Sequence, residues 1–196
     1  IERQAGPGLA GLIQAVNGAA YDKHADVLAG LGSLAAAQTA MRDTLLRMKE
    51  RCDLYVYYNR VRPYIHAWKN SPTLPDGLVY GGVTAYAGQP QQFRGETGAQ
   101  SSIVPCLDAG LGIAHAPDPL TVYLQEMREY MPPQHQNFLR AIQHMSDADG
   151  RPLLSGYIRD QRSRRPKLWE AYCTCVDLLA QFRDIHVGYA DSYIHR

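Results

Sequence analysis

Lys167–Tyr193 reads KLWEAYCTCVDLLAQFRDIHVGYADSY, with its large side chains at Leu168, Tyr172, Cys175, Leu179, Phe182, His186, Tyr189 and Tyr193. Steps of four and three alternate along it, the spacing of one face of an α-helix. Every member of the stripe is apolar or aromatic except His186, which the spacing puts at a core position between Phe182 and Tyr189. An imidazole there has two readings. One is a neutral core histidine whose ring nitrogens meet a carbonyl and a hydroxyl. The other is the axial ligand of a flat apolar cofactor, because a helical His with large apolar neighbours is a common holder of haem iron. Arg183, one turn earlier on the same face, would then reach a propionate. Periodicity leaves both open.

Working outward, the 196 residues suit one domain with a sizeable core, and 45% apolar with 20% charged residues is an ordinary globular balance. A net charge of +1 indicates no nucleic-acid partner. Arg159, Arg162, Arg164, Arg165 and Lys167 form one basic run, read as a solvated loop between helices. Cys52, Cys106, Cys173 and Cys175 show no zinc spacing, and Cys173 and Cys175 point in different directions on a helix. Scattered thiols suit a reducing, cytoplasmic setting. The sequence holds neither a signal peptide nor a run long enough to span a membrane. It opens without Met at a loop-to-helix junction, the mark of a fragment or a processed chain.

The rest of the chain is also helical in pattern, and no alternating strand stands out. Gly8–Ala20 reads as a packed helix. Ser33 can cap a long helix whose stripe runs Met41, Leu45, Met48, Cys52, Tyr55, Asn59 and Arg62. Pro63 follows, and biases Arg62 away from helical dihedrals. Lys69–Ser102, with six glycines and three prolines, is either disordered or a binding loop. Its end precedes a helix Ile103–Gly112 capped by Ser101 or Ser102, where backbone N–H groups can meet an anion. Further helices run from Asp118-Pro119 to Tyr130 and from Gln134 to Met145, and the Arg-rich loop then leads into the last helix. The fold class expected is all-α, in a single domain over residues 1–196.

Hydrolytic constellations are missing, and the other histidines (His24, His66, His115, His135, His144, His195) form no pair at metal-ligand spacing. Tyr57, Tyr58 and Arg62 lie four or five residues apart, so rings and a guanidinium could line one pocket. That combination suits an aromatic amino acid, its carboxylate held by a bidentate fork. The other reading, which the sequence pattern alone favours, is that the tyrosines are ordinary helix-packing residues.

Four separated motifs then carry a resemblance. They are Trp68-Lys69 with Pro72, Leu74 and Asp76-Gly77-Leu78-Val79-Tyr80; Ala99-Gln100-Ser101-Ser102 with Cys106, Asp108 and Leu111-Gly112-Ile113; Met127-Arg128 with Tyr130-Met131-Pro132-Pro133, His135 and Asn137-Phe138-Leu139; and Glu170-Ala171-Tyr172 with Cys175-Val176. From about Leu9 onward the chain resembles the large, haem-binding domain of the indoleamine 2,3-dioxygenase family. The resemblance implies an all-α domain with one haem b per chain. His186 falls on the proximal iron ligand, Arg183 on the arginine that meets a propionate, and Asp108 on the acid near it. It further implies Arg62 as the substrate-carboxylate anchor, Tyr57 and Tyr58 as the aromatic wall, Thr97 as the loop hydroxyl, and Gly95 and Ala99 as backbone close to the ligand.

The implied activity is insertion of both atoms of O₂ across the indole C2–C3 bond of L-tryptophan or a close analogue, giving an N-formylkynurenine-type product. An electron donor keeps the iron ferrous, and no side chain acts as acid or base. Tyr57 and Tyr58 replace the family's phenylalanines, and Thr97 its serine. The family's small N-terminal domain and C-terminal lid have no counterpart here, so an N-terminal domain or second chain is expected to complete the pocket. The rival readings are a haem enzyme of this fold oxidising another aromatic substrate in secondary metabolism, and a non-catalytic haem or aromatic-ligand binder.

Overall fold

The structure is a computed structural model that describes residues 1–194, and among these all extended regular structure is helical. Helix α1 (Glu2–Ala20) turns back through three residues into α2 (His24–Leu46). Their backbones touch. A Cβ built on Gly30 would fall 2.4 Å from the Gly11 carbonyl, and one on Gly11 would fall 2.6 Å from that of Gly30. This contact explains why α2 is one helix from His24, and not one begun at Leu34 by a Ser33 cap. Gly30 and Gly32 weaken the helix locally, but close approach and the burial of Val27, Leu31 and Leu34 outweigh that loss. Helix α1 likewise starts at Glu2, earlier than its apolar stripe, with Pro7 inside it.

The long stripe predicted from Met41 to Arg62 is broken. Arg47–Glu50 tighten into a 3₁₀ turn. Asp53 then caps a new helix, α3 (Leu54–Val56), its side chain accepting from the Val56 N–H at 2.8 Å. A π-helical turn, Tyr57–Val61, leads into α4 (Arg62–Ile65). Arg62 keeps helical dihedrals (φ −54°, ψ −41°), so Pro63 does not end the helix. The proline ring and its missing N–H coincide instead with the widened turn before it.

Residues 66–102 fold as an ordered excursion. Pairings Ala67–Arg94 and Leu78–Gln91 zip its two arms, and Trp68, Tyr80, Tyr86 and Phe93 stack at ring separations near 6 Å. Helix α5 (Ile103–Leu111) follows, the Ile103 N–H donating to the Ser101 hydroxyl at 3.3 Å, while the Ser102 hydroxyl turns to His135. A capping box of Asp118 and Thr121 opens α6 (Pro119–Arg128), and α7 is Pro133–Gln143. Helix α8 (Leu153–Gln161) has no counterpart among the expected elements. Leu154 and Ile158, one turn apart, bury it in the core, and Arg159 sits on it instead of in a loop.

Helix α9 (Pro166–Tyr193) runs parallel to α2 and organises the core, as its stripe predicts. Gln38 donates to the Cys175 carbonyl at 2.9 Å, the Tyr189 hydroxyl to those of Leu45 and Leu46, and the Tyr193 hydroxyl to that of Cys52 at 2.7 Å. The Tyr172 hydroxyl donates to Leu111 at 2.6 Å, tying α9 to the end of α5. Among the described residues, no helix is long and apolar enough to cross a membrane.

Candidate functional site

His186 does not lie in the core. Tyr189 and Tyr193 are buried and Phe182 is half-buried, but His186 is exposed, with Val187 beside it 57% exposed. The seam against Leu45, Leu54 and Tyr57 is filled by Ile185 in its place. Helical spacing keeps His186 within about 60° of Phe182 and Tyr189, so its exposure comes from what packs on α9 at that level and not from its place around the helix. Among the described residues neither ring nitrogen is hydrogen-bonded, so the reading of a satisfied core histidine does not hold.

One turn earlier, Arg183 reaches α5. Its Nη2 lies 2.6 Å from both oxygens of Asp108, and His115 Nε2 lies 3.1 Å from Oδ2 of the same carboxylate. The sequence pattern does not point to His115, seven residues beyond Asp108 and past the left-handed turn at Gly112. The remaining guanidinium nitrogens of Arg183 make no bond among the described residues.

The Tyr57 ring packs edge-on against Tyr193 of α9 at 5.6 Å, within the cluster that holds Tyr189 and Ile185. Tyr58, next along the π turn, is 40% exposed and lies under the Arg62 guanidinium at 5.4 Å. Tyr58 and Arg62 are therefore brought together, while Tyr57 braces the turn on α9. Three residues past Arg62, the Ile65 carbonyl meets Gly95, where a Cβ would fall at 1.8 Å. The absent side chain of Gly95 is thus needed for contact with the end of α4. Thr97 caps the 3₁₀ turn Gly98–Gln100, accepting from the Ala99 N–H at 3.3 Å, which leaves its hydroxyl proton free to donate. Gln100 donates to the Gly95 carbonyl at 3.0 Å and closes this loop on itself.

Three side chains to which the sequence pattern assigns no role anchor the same loop. Arg94 forks onto Glu126 of α6, which also binds Lys69. These two cations, Arg94 first, pull the Glu126 carboxyl down to about 2. An open recess of about 570 Å³ lies elsewhere, along α1 beside Ile13, Asn17 and Tyr21. It carries none of this chemistry.

The residues fit a haem. His186 is one exposed imidazole on a rigid helix, Phe182, Ile185 and Val187 give it apolar neighbours, and Arg183 offers a cation to a carboxylate one turn away. Asp108 holds that cation in place. No group of three or more His, Cys, Asp or Glu suited to a metal ion occurs among the described residues. His195 lies outside them.

Comparison with known proteins agrees with these features. The family model described as Indoleamine 2,3-dioxygenase matches residues 1–195. Human indoleamine 2,3-dioxygenase 2 is 31% identical over 99% of this chain and 45% of its own length. The rat indoleamine 2,3-dioxygenase 1 is 36% identical over 84% of the chain and 38% of its own length. A protein named myoglobin from Haliotis madaka is 33% identical over 91% of the chain and 45% of its own length. The chain thus spans less than half the length of these relatives. With a family match over nearly every residue and an all-helical fold built around α9, the chain belongs to the indoleamine 2,3-dioxygenase family.

Proposed function

We propose that this protein is a haem-dependent dioxygenase that adds both atoms of O₂ across the indole C2–C3 bond of L-tryptophan or a close analogue. The observation that carries the reading is one continuous set of contacts: the α9 turns around His186, Tyr57 on Tyr193, Tyr58 under Arg62, and Ile65 against Gly95. These contacts link the helix that carries His186 to the turn that carries Tyr58 and Arg62 and to the loop that carries Thr97.

In this reading His186 holds haem from the α9 side and Arg183, set by Asp108, pairs with a propionate. When bound, ferrous haem supplies the binding and activation of O₂. Arg62 takes the substrate carboxylate through two parallel N–H bonds, and its stacking on Tyr58 presets the fork. Tyr57 and Tyr58 supply ring faces for the indole, Thr97 a hydroxyl, and Gly95 and Ala99 close backbone. None of these groups needs to move a proton; their contribution is orientation. An external electron donor keeps the iron ferrous. Walls contributed from outside residues 1–196, by an N-terminal domain or a second chain, complete the pocket.

The test is reduced protein with L-tryptophan in air. The proposal expects ring opening and a product heavier by two oxygen atoms. A second reading, favoured by the Haliotis relative's name, is reversible O₂ binding without turnover. Stable oxygenated spectra with tryptophan unconsumed would establish that instead.

A further inference from the structure

We propose that Glu126 is a positioning residue: by holding Arg94, it sets the loop that carries Thr97 against the helix end that carries Arg62. This rests on the dioxygenase reading, because it assigns substrate contacts to Thr97 and Arg62. Glu126 projects from α6 and accepts from Arg94 Nε at 3.1 Å and Nη2 at 2.8 Å. Lys69 Nζ binds the same carboxylate. The Arg94 guanidinium also lies over the Tyr123 ring at 5.4 Å, and its backbone N–H donates to the Tyr130 hydroxyl at 3.1 Å. On the other side Lys69 N–H donates to the Phe93 carbonyl at 3.0 Å, beside the Ala67–Arg94 pairing. Backbone and side chain of Arg94 are therefore both fixed.

The next residue, Gly95, abuts the Ile65 carbonyl. Arg62 lies one turn before that carbonyl and Thr97 two residues after that glycine. A single carboxylate, shared by two cations 25 residues apart in sequence, thus sets the spacing between two substrate contacts. Glutamine in its place would turn an amide N–H toward cations that need acceptors, so the fork would open. The carboxyl is held down to about 2, and so stays ionised wherever the enzyme works.

The experiment uses full-length protein and three variants, Glu126→Gln, Arg94→Ala and the double. The readouts are haem stoichiometry, peptide-level amide exchange over 93–101, and L-tryptophan affinity from the absorption of the ferrous protein. Glu126→Gln should keep its haem, exchange faster across 93–101 but not across α9, and bind tryptophan about tenfold more weakly. Arg94→Ala should match it, and the double variant should add little to either. Unchanged exchange overturns the proposal. So does faster exchange with unchanged tryptophan affinity, which would leave Glu126 a merely structural residue. Wild-type protein that holds haem but binds no tryptophan rejects the dioxygenase reading itself, and the assignment to Glu126 falls with it.

Discussion

Arg183 Nη2 sits 2.6 Å from both oxygens of Asp108, joining α9 to α5 one turn before His186. The carboxylate side chain is 15% exposed and the guanidinium 31%, so the pair is shielded more than a surface ion pair but less than a core one. Asp108→Ala should destabilise the fold by about 1–2 kcal/mol, the range for a charged hydrogen bond discounted for exposure. It should also speed haem transfer to apomyoglobin, because Arg183 loses the group that orients it. His115→Ala, removing only the outer contact, should do less. Equal effects from the two variants would contradict the ranking.

Gly95 is a second point of rigidity. Alanine there places a methyl 1.8 Å from the Ile65 carbonyl and 2.7 Å from the His66 carbonyl carbon, atoms of main chain that cannot swing aside. Gly95→Ala should lower stability by about 1–3 kcal/mol and weaken tryptophan binding, since loop and α4 must part. Gly98→Ala meets nothing within 4 Å and serves as the control. Thermal denaturation of the two variants separates them.

Acid should release the Lys69–Glu126–Arg94 clamp late. The Glu126 carboxyl, ordinarily near 4.5, is held at about 2 by Arg94 and Lys69. A depressed folded value means that its stabilising contribution is complete above about pH 4.5 and fades as pH falls toward 2. The difference in stability between wild type and Glu126→Gln should therefore be constant from pH 5 to 8 and shrink below. A difference that varies between pH 6 and 8 would contradict this assignment.

Burial pushes the Cys175 thiol up to about 12 and that of Cys106 to about 11. Cys52 and Cys173 are half-exposed. Iodoacetamide at pH 8 should accordingly modify Cys52 and Cys173 in the native protein and leave the other two intact until denaturant is added. Early labelling of Cys175 would mean that the α2–α9 seam opens readily.

Helix α9 was legible because 28 residues repeat one spacing, long enough for the period to outweigh local noise. The exposure of His186 was not legible: it shares that spacing with the buried row, and only the packing of Leu45, Met48 and Leu54 on Ile185 and Tyr189 decides which side faces inward. The unbroken α2 depends on Gly30 meeting Gly11 across a hairpin, a tertiary contact that propensity cannot register. Helix α8 is short, and of its buried residues Leu154, Ser155, Gly156 and Ile158 only two are large and apolar. Arg62, Tyr58 and Arg183 emerged as candidates from their spacing and again, with Asp108, from the resemblance, and the structure pairs them two by two. Glu126 stayed hidden because its partners lie 57 and 32 residues away, beyond any local pattern.

In the proposed function an exposed imidazole on α9 holds the haem. His186→Ala removes a side chain that makes no hydrogen bond among the described residues, so helical content and melting of the apoprotein should barely change. Haem per chain and the Soret absorption of the purified holoprotein are the direct measurement. The variant should lose stoichiometric haem, and free imidazole should restore part of the band. Full haem with an unaltered Soret band in His186→Ala would contradict it.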